Sequence, residues 1–230
     1  MPDTTPLDEV MGELAALENP KFRAVNERNG DDHGVNLSQL RAVAKRLKKQ
    51  HELAVELWAT GDTAARLLAT LVCRPRTCTA AEVDAMIHEI RSPKLLDWFV
   101  VNVVKPGRFA EEFRERWAAD DADLVGRAGW TLQSDKVVKA PDEVDLDALL
   151  DTIERNLKGA PENTQWAMNT CLAMIGINHP DRRARAIGIG EDLQVLADYP
   201  ASPGCTPPYV PVWIAEMVGR QEPAGVSVSP

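Results

Sequence analysis

The spacing of the apolar residues constrains the fold most, because it has a helical period in almost every segment of the chain. In NLSQLRAVAKRLKK, Leu37, Leu40, Ala44 and Leu47 fall on one side of a helix and the cations on the other. Similar short patterns follow one another along the chain, and the run FVVNVV lies inside a longer helical pattern. The alternation typical of a half-buried strand is not seen. The sequence therefore predicts an all-α fold.

Many short helices joined by short loops are typical of an α-solenoid, in which helix pairs stack into a curved array. No strict internal repeat is legible, so the predicted units are degenerate. We predict one solenoid domain over residues 6–220, with flexible ends at 1–5 and 221–230. The Pro-rich segment 199–211 is interpreted as an ordered loop before the last helix.

Polar residues mark several predicted helix starts. Ser, Thr and Asp accept hydrogen bonds from the free N–H groups of a first helical turn, and proline fits the first helical position. Pro93 occupies this first helical position, directly after the predicted cap Ser92. The predicted N-caps are Asp62, Thr79, Ser92 and Asp121.

The cysteines indicate neither a disulfide framework nor a metal site. Cys73, Cys78, Cys171 and Cys205 are sparse and unevenly spaced, without a CxxC pair or a histidine at metal-ligand spacing. We predict four free thiols, mostly buried. Phosphate-binding glycine loops and hydrolase motifs are also not found, so we expect no metal and no other cofactor.

The N-terminus and the hydropathy favour a cytoplasmic protein. The start of the chain, MPDTTPLDEV, has no basic region followed by an apolar run, as a signal peptide would. No apolar run approaches the roughly 20 residues that a membrane span needs. We expect a monomer without a membrane partner.

Positive charge is concentrated near the N-terminus of an acidic chain. The formal net charge is −9, yet residues 21–49 contain eight Lys or Arg against three acidic residues. Most of these cations lie on one predicted helix, as Arg41, Lys45, Arg46, Lys48 and Lys49. They form either a solvated helix face or a docking surface for a polyanion.

The order and spacing of several short elements resemble the DNA alkylation repair proteins, the AlkD-like HEAT-repeat DNA glycosylases. The resemblance begins in GVNLSQLRAVAK, with Arg41 and Lys45, and continues through AVELW and AARLLA. It extends through SPKLLDWF and LVGRAGW to AMNTCLAMIGI, or roughly residues 20–178. No single element is specific to this family, but the order and spacing of the elements taken together are specific to it.

The resemblance implies an α-solenoid of HEAT-like helix pairs whose basic concave surface holds duplex DNA. Active members of that family excise purines alkylated at N3 or N7 by cutting the N-glycosidic bond. An alkylated purine is already cationic and leaves readily, so the enzyme must mainly stabilise the oxocarbenium-like sugar. A carboxylate does so electrostatically and positions water, and aromatic faces can contact the cation.

The family pattern assigns roles to particular residues here. Asp97 matches the catalytic aspartate, and Arg127 matches an arginine that contacts the DNA backbone near the lesion. Pro93 and Thr170 stand where the family has tryptophans. Trp166, one helical turn before Thr170, is a candidate replacement on the same face.

Two hypotheses therefore stand. The first is a glycosylase in which Asp97 is catalytic and the DNA backbone is held by Arg127 and by a basic surface of Arg41, Lys45, Lys48 and Lys49. The second is a non-catalytic binder that keeps the scaffold without the aromatic residues. It would bind branched or damaged DNA, or a protein partner.

Overall fold

A computed structural model describes residues 5–28, 30–202 and 204–221 of the chain, and within them it contains thirteen α-helices and no strand. The all-α prediction is confirmed. The predicted flexible ends lie almost entirely outside the described residues. The helices are α1 Leu7–Leu17, α2 Pro20–Glu27, α3 Leu37–Leu47, α4 His51–Ala59, α5 Thr63–Val72, α6 Ala80–His88, α7 Pro93–Phe99, α8 Ala110–Ala118, α9 Asp123–Lys139, α10 Leu146–Asn156, α11 Glu162–Asn178, α12 Arg183–Leu193 and α13 Val210–Gln221.

Shorter helical turns complete the architecture. Three 3-10 turns cover Pro75–Thr77, Pro141–Glu143 and Leu157–Gly159. The run that resembled a strand forms a π-helical segment, Val100–Val104, directly after α7. π-Helical turns in proteins are rare and frequently lie at functional sites.

Three of the four predicted N-caps are confirmed. Asp62 accepts from Ala65 N at 2.8 Å and so caps α5. Ser92 does the same for α7, accepting from Leu95 N at 3.3 Å. At the start of α6, Thr79 and Glu82 form a reciprocal capping box.

The fourth predicted N-cap, Asp121, is wrong. Helix α9 begins at Asp123, and its N-cap position is Ala122, which has no capping side chain. The Asp123 carboxylate accepts instead from the backbone N–H groups of Asn163 (3.2 Å) and Thr164 (2.8 Å) at the start of α11. Burial acts to raise the pKa of Asp123, but its hydrogen bonds with the side chains and backbone of Asn163 and Thr164 together lower it. The first carboxylate of α9 thus serves a contact between helices and does not cap its own helix.

The contacts divide the chain into two compact units, with the boundary between Glu112 and Phe113 in the first turn of α8. The single domain over 6–220 stays a prediction. In the first unit, α5 packs against α3, α4 and α7. Its core contains fully buried leucines from these helices together with Phe99, which lies beside the ring of Trp58 at a centroid distance of 5.5 Å.

Two residues from the sequence pattern stabilise this first unit. Trp58 donates from Nε1 to Glu89 Oε2 at 3.0 Å. Arg66 donates to the same carboxylate oxygen at 2.6 Å and lies over the Trp58 ring. Because both side chains are committed to this cluster, Trp58 and Arg66 act in the scaffold.

In the second unit, α9 and α11 pack together along their lengths, and α11 also contacts α12 and α13. Close approach of α8 and α9 depends on Gly129. A Cβ at this position would lie only 2.6 Å from Ala118 Cα and would overlap the backbone of Trp117. The Trp117 ring is fully buried and stacks on Phe113 at 4.1 Å.

Among the described residues, no helix is both long enough and apolar enough to span a membrane.

Candidate nucleic-acid interface

Helix α3 carries the cations of the basic segment on the side opposite its core face. That core face is formed by Leu40, Val43 and Leu47, which are buried. Leu37 and Ala44, which the sequence pattern placed there, are only half-buried. The helix is therefore rotated slightly about its axis relative to the predicted orientation. Arg41 and Lys45 remain exposed.

The basic surface extends beyond this helix, because α3 ends at Leu47 and not at Lys49 as the sequence indicated. Lys48 follows the helix with a φ of +59°, a left-handed conformation that is costly for a residue with a side chain. Lys49 donates from Nζ to the carbonyl oxygen of Leu71 at 2.7 Å. Lys49 is therefore partly engaged within the protein, whereas Lys48 is exposed.

The cations of α3 also differ from one another in their partners. Arg46 forms an ion pair with Glu13 of α1. Arg41 lies over the ring of Trp98 in α7, with its guanidinium carbon 4.8 Å from the ring centroid. This contact brings the basic helix to the residue that follows Asp97.

Asp97 is exposed on α7, a helix that is otherwise well anchored. Leu95, Leu96 and Phe99 of this helix are buried. Pro93 occupies the first helical position after the Ser92 cap, where a proline ring favours the start of a helix. Asp97 thus lies on the exposed side of α7, away from these buried residues.

The loop before α3 fixes the start of α7 through a buried ion pair. Lys94 Nζ lies 2.6 Å from Asp31 Oδ2, and the Asp31 side chain is only 2% exposed. Lys94 also donates to Asn26 Oδ1 of α2 at 3.1 Å. Sequence reasoning missed Lys94, because its partner lies 63 positions away and only the tertiary structure pairs them.

His33 lies in the same loop and is 1% exposed. Within the described ranges, neither of its ring nitrogens has a hydrogen-bond partner. Burial lowers the pKa of His33, and the positive charge of Lys94 lowers it further. The imidazole is therefore neutral at physiological pH.

In the second unit, Arg127 is half-exposed on α9, while its neighbours Val125, Ala128 and Gly129 are buried. Trp130, three residues further on, is only 4% exposed. It lines an open depression of about 760 Å³ together with Arg114 and others. Trp130 is thus mainly a packing residue, whereas Arg127 is only half-buried.

Trp166 is half-buried on α11 and contacts the Pro-rich loop. Its ring meets Tyr199 edge-to-face at 5.0 Å. Both rings line a shallow depression of about 380 Å³, which Trp213 of α13 also borders. Tyr199 and Trp213 were not predicted, because the contact joins residues from three separate segments. The depression is therefore bordered by three aromatic residues.

Each unit presents its own set of chemical groups. The first unit presents an exposed carboxylate, Asp97, near a guanidinium, Arg41, and further cations. The second unit presents Arg127 and the half-buried ring of Trp166. Such side chains can contact phosphates, stack on bases and stabilise a developing positive charge.

A solved structure resembles this fold over most of the chain. It is described as "a new family of proteins related to the HEAT-like repeat DNA glycosylases with affinity for branched DNA structures". The TM-score is 0.72, with 25% sequence identity, and the match covers 82% of this chain and 83% of the other. With its helical content, this likeness defines an all-α protein of the HEAT-like repeat class.

The chain belongs to the DNA alkylation repair enzyme family, whose model matches residues 10–195. It is also similar to two uncharacterized bacterial proteins. Lin0241 of Listeria innocua is 27% identical over 188 residues, which are 78% of this chain and 83% of that protein. Lmo0209 of Listeria monocytogenes is 26% identical over 188 residues, with the same coverage. The family resemblance read from the sequence is confirmed.

Proposed function

We propose that this protein binds DNA during repair and hydrolyses the N-glycosidic bond of purines that carry a cationic alkyl group at N3 or N7. The observation that carries the proposal is the contact of Arg41 with Trp98. It joins the basic helix to α7 next to the exposed Asp97, so that phosphate-binding cations and a candidate catalytic carboxylate belong to one region of the first unit. Family membership supports this role.

The reaction breaks the bond between C1′ of the sugar and the purine nitrogen. The electron pair of that bond goes to the alkylated purine, which leaves as a neutral base. The sugar develops oxocarbenium character, and water adds to C1′ and loses a proton. Asp97 stabilises the positive sugar electrostatically and accepts a hydrogen bond from the attacking water.

DNA would be held chiefly by phosphate contacts. Arg41, Lys45 and Lys48 are exposed cations on and just after α3. Lys49 contributes charge while its ammonium group also caps the end of α5. The second unit has a candidate contact surface of its own, in which Arg127 would contact a phosphate and Trp166 would stack on a base.

The decisive measurement is release of 7-methylguanine and 3-methyladenine from methylated duplex DNA under single-turnover conditions. Asp97→Asn keeps the shape of the side chain and removes its charge. We expect the excision rate to fall about 100-fold or more, as when one electrostatic group of an active site is lost, while duplex affinity stays within about twofold.

The matched control is Glu56→Gln, which removes an exposed carboxylate from α4 of the same unit. It should leave excision unchanged. If the wild-type protein releases no base at stoichiometric concentration, or if Asp97→Asn excises as fast as wild type, the catalytic part of the proposal is wrong.

A second candidate function is binding of branched DNA without excision. Two observations favour it: Pro93 and Thr170 offer no aromatic ring, and Arg41 covers one face of Trp98. Phosphates that converge at a junction would match a compact group of exposed cations. The relative with known structure is described as having affinity for branched DNA.

Equilibrium binding to a four-way junction and to a linear duplex of equal length separates the two candidates. Tighter binding to the junction, together with no base release, would support the second candidate. Equal affinity for both DNAs together with base release would support the first. Binding to neither DNA at low salt would contradict both and favour a protein partner.

A further inference from the structure

We propose that His51, Cys73 and Cys78 form a zinc-binding site in the first unit, separate from the candidate nucleic-acid interface. His51 is the first residue of α4, and Cys73 directly follows α5. Cys78 lies between the 3-10 turn Pro75–Thr77 and α6. Their ligand atoms all lie within 4.8 Å of one another. Sequence spacing concealed this site, because His51 lies 22 positions before Cys73.

The separations match those of a tetrahedral zinc site. Zn–S bonds of about 2.3 Å and Zn–N bonds of about 2.0 Å place two sulfurs about 3.8 Å apart and sulfur and nitrogen about 3.5 Å apart. Here the Sγ atoms of Cys73 and Cys78 are 3.7 Å apart, and Cys73 Sγ is 3.8 Å from His51 Nδ1. Closing the site around a metal therefore requires little side-chain movement.

The surroundings suit a bound zinc ion with one open coordination position. Both cysteines are nearly fully buried, at 4% and 3% exposure, while His51 is half-buried. The three residues line a cavity of about 450 Å³, whose wall includes Trp58 and Met86. Three protein ligands beside an accessible cavity leave the fourth position for water or another small ligand.

Two hydrogen bonds hold the segment before His51 against the end of α5 and the residues after it. Gln50 N donates to the carbonyl oxygen of Val72 at 3.0 Å. Arg74 Nη2 donates to the carbonyl oxygen of Lys49 at 3.3 Å. Since these bonds flank His51 and Cys73, the two ligands are positioned before any metal binds. Such preorganisation lowers the entropic cost of binding.

The chemistry of the three ligand atoms indicates which metal ion the site would bind. Two thiolates and one imidazole suit Zn²⁺, whereas Mg²⁺ and Ca²⁺ prefer oxygen ligands. Glu82 borders the cavity, but its Oε2 accepts from both the backbone N and the Oγ1 of Thr79 in the capping box. We therefore assign three ligands and leave Glu82 out of the inner set.

Titration of the chelator-treated, fully reduced protein with Co²⁺ and then Zn²⁺ tests the site. Cobalt bound to thiolates gives an intense charge-transfer absorption that oxygen or nitrogen ligands alone do not give. We expect this band to saturate at one Co²⁺ per chain and to disappear when Zn²⁺ displaces it. Zinc should also raise the thermal unfolding midpoint, because it binds only the folded site.

Variants assign the ligands. Cys73→Ser and Cys78→Ser should each abolish the charge-transfer band or shift it strongly, and His51→Gln should weaken Co²⁺ binding at least about 10-fold. The matched control is Cys205→Ser, which removes an exposed thiol and should change nothing. Cys171 is fully buried, and burial raises its pKa to about 12, so it stays a thiol.

His51→Gln keeps the test valid if a cysteine variant misfolds, because His51 is half-buried and its replacement leaves both thiols in place. Far-UV circular dichroism of each variant shows whether its helices persist. The proposal fails if the wild-type protein gives no thiolate–cobalt band. It also fails if folded Cys73→Ser or His51→Gln binds Co²⁺ as tightly as wild type.

Discussion

The guanidinium carbon of Arg41 lies 4.8 Å from the centroid of the Trp98 ring, and this contact connects α3 with α7. A cation held over an aromatic face loses conformational freedom but keeps its charge. The contact with Trp98 therefore orders the exposed Arg41 side chain before any ligand binds. Its position beside the residue that follows Asp97 distinguishes it from the other cations of the basic segment.

Arg41→Gln is expected to lower both the DNA affinity and its salt dependence. If Arg41 contacts one phosphate, the slope of log K against log salt becomes shallower by about 0.9, because fewer counterions are released. Fluorescence anisotropy with a labelled duplex over a range of salt concentrations measures this slope. Arg46→Gln is the matched control on the same helix, since Arg46 is paired with Glu13. Equal effects of the two variants would show that charge alone matters.

Lys94→Met is expected to destabilise the protein by about 3 kcal/mol, because it leaves the buried Asp31 carboxylate without its cation. Urea unfolding followed by circular dichroism measures the loss. Lys139→Met is the control: Lys139 is 70% exposed and pairs with Asp135, so its loss should cost less than about 1 kcal/mol. A similar small cost at Lys94 would contradict the assigned role of the buried pair.

Gly129→Ala is expected to destabilise the second unit by about 3 kcal/mol, because the added Cβ overlaps the α8 backbone and forces α8 and α9 apart. Gly188→Ala in α12 gives the comparison, since a Cβ there meets nothing within 4 Å. That variant should be neutral or more stable by up to about 1 kcal/mol, as alanine favours the helix. Thermal or denaturant unfolding measures the stability of both variants. The comparison shows whether close packing or ordinary helix propensity determines the effect of alanine at position 129.

His33 should make the stability depend on pH in the mildly acidic range. Its folded-state pKa is lowered from 6.5, first by burial and then by Lys94, so the unfolded chain binds more protons. The contribution of the neutral imidazole is complete above pH 6.5 and is lost as the pH falls below it, by at most about 1.4 kcal/mol per pH unit.

Comparing the free energy of unfolding at pH 7.5 and pH 5.5 measures this effect. His33→Gln should show a smaller decrease than wild type over that interval. Replacing the exposed His88 by Gln should leave the decrease as it is in wild type. An unchanged pH dependence in His33→Gln would show that other groups cause it.

Local patterns predicted the elements well, because helical period and capping depend on neighbours within about four residues. The period of the apolar residues predicted an all-α chain, and Asp62, Thr79 and Ser92 were identified as caps. Asp121 was misassigned because α9 begins two residues later, at Asp123, whose carboxylate bonds to α11, a contact that no local rule contains. Val43 was missed because a small rotation of α3 decides which residues face the core.

The sequence by itself determined the helical class, the concentration of positive charge before residue 50 and the family to which the chain belongs. Only the tertiary structure decided which cations are free to meet a ligand: it pairs Arg46 with Glu13, engages Lys49 at the end of α5 and places Arg41 on Trp98. It also brought His51 to the two cysteines. The physical reason is that charge and periodicity are local properties, whereas a site requires side chains from distant segments to converge, and packing alone specifies that.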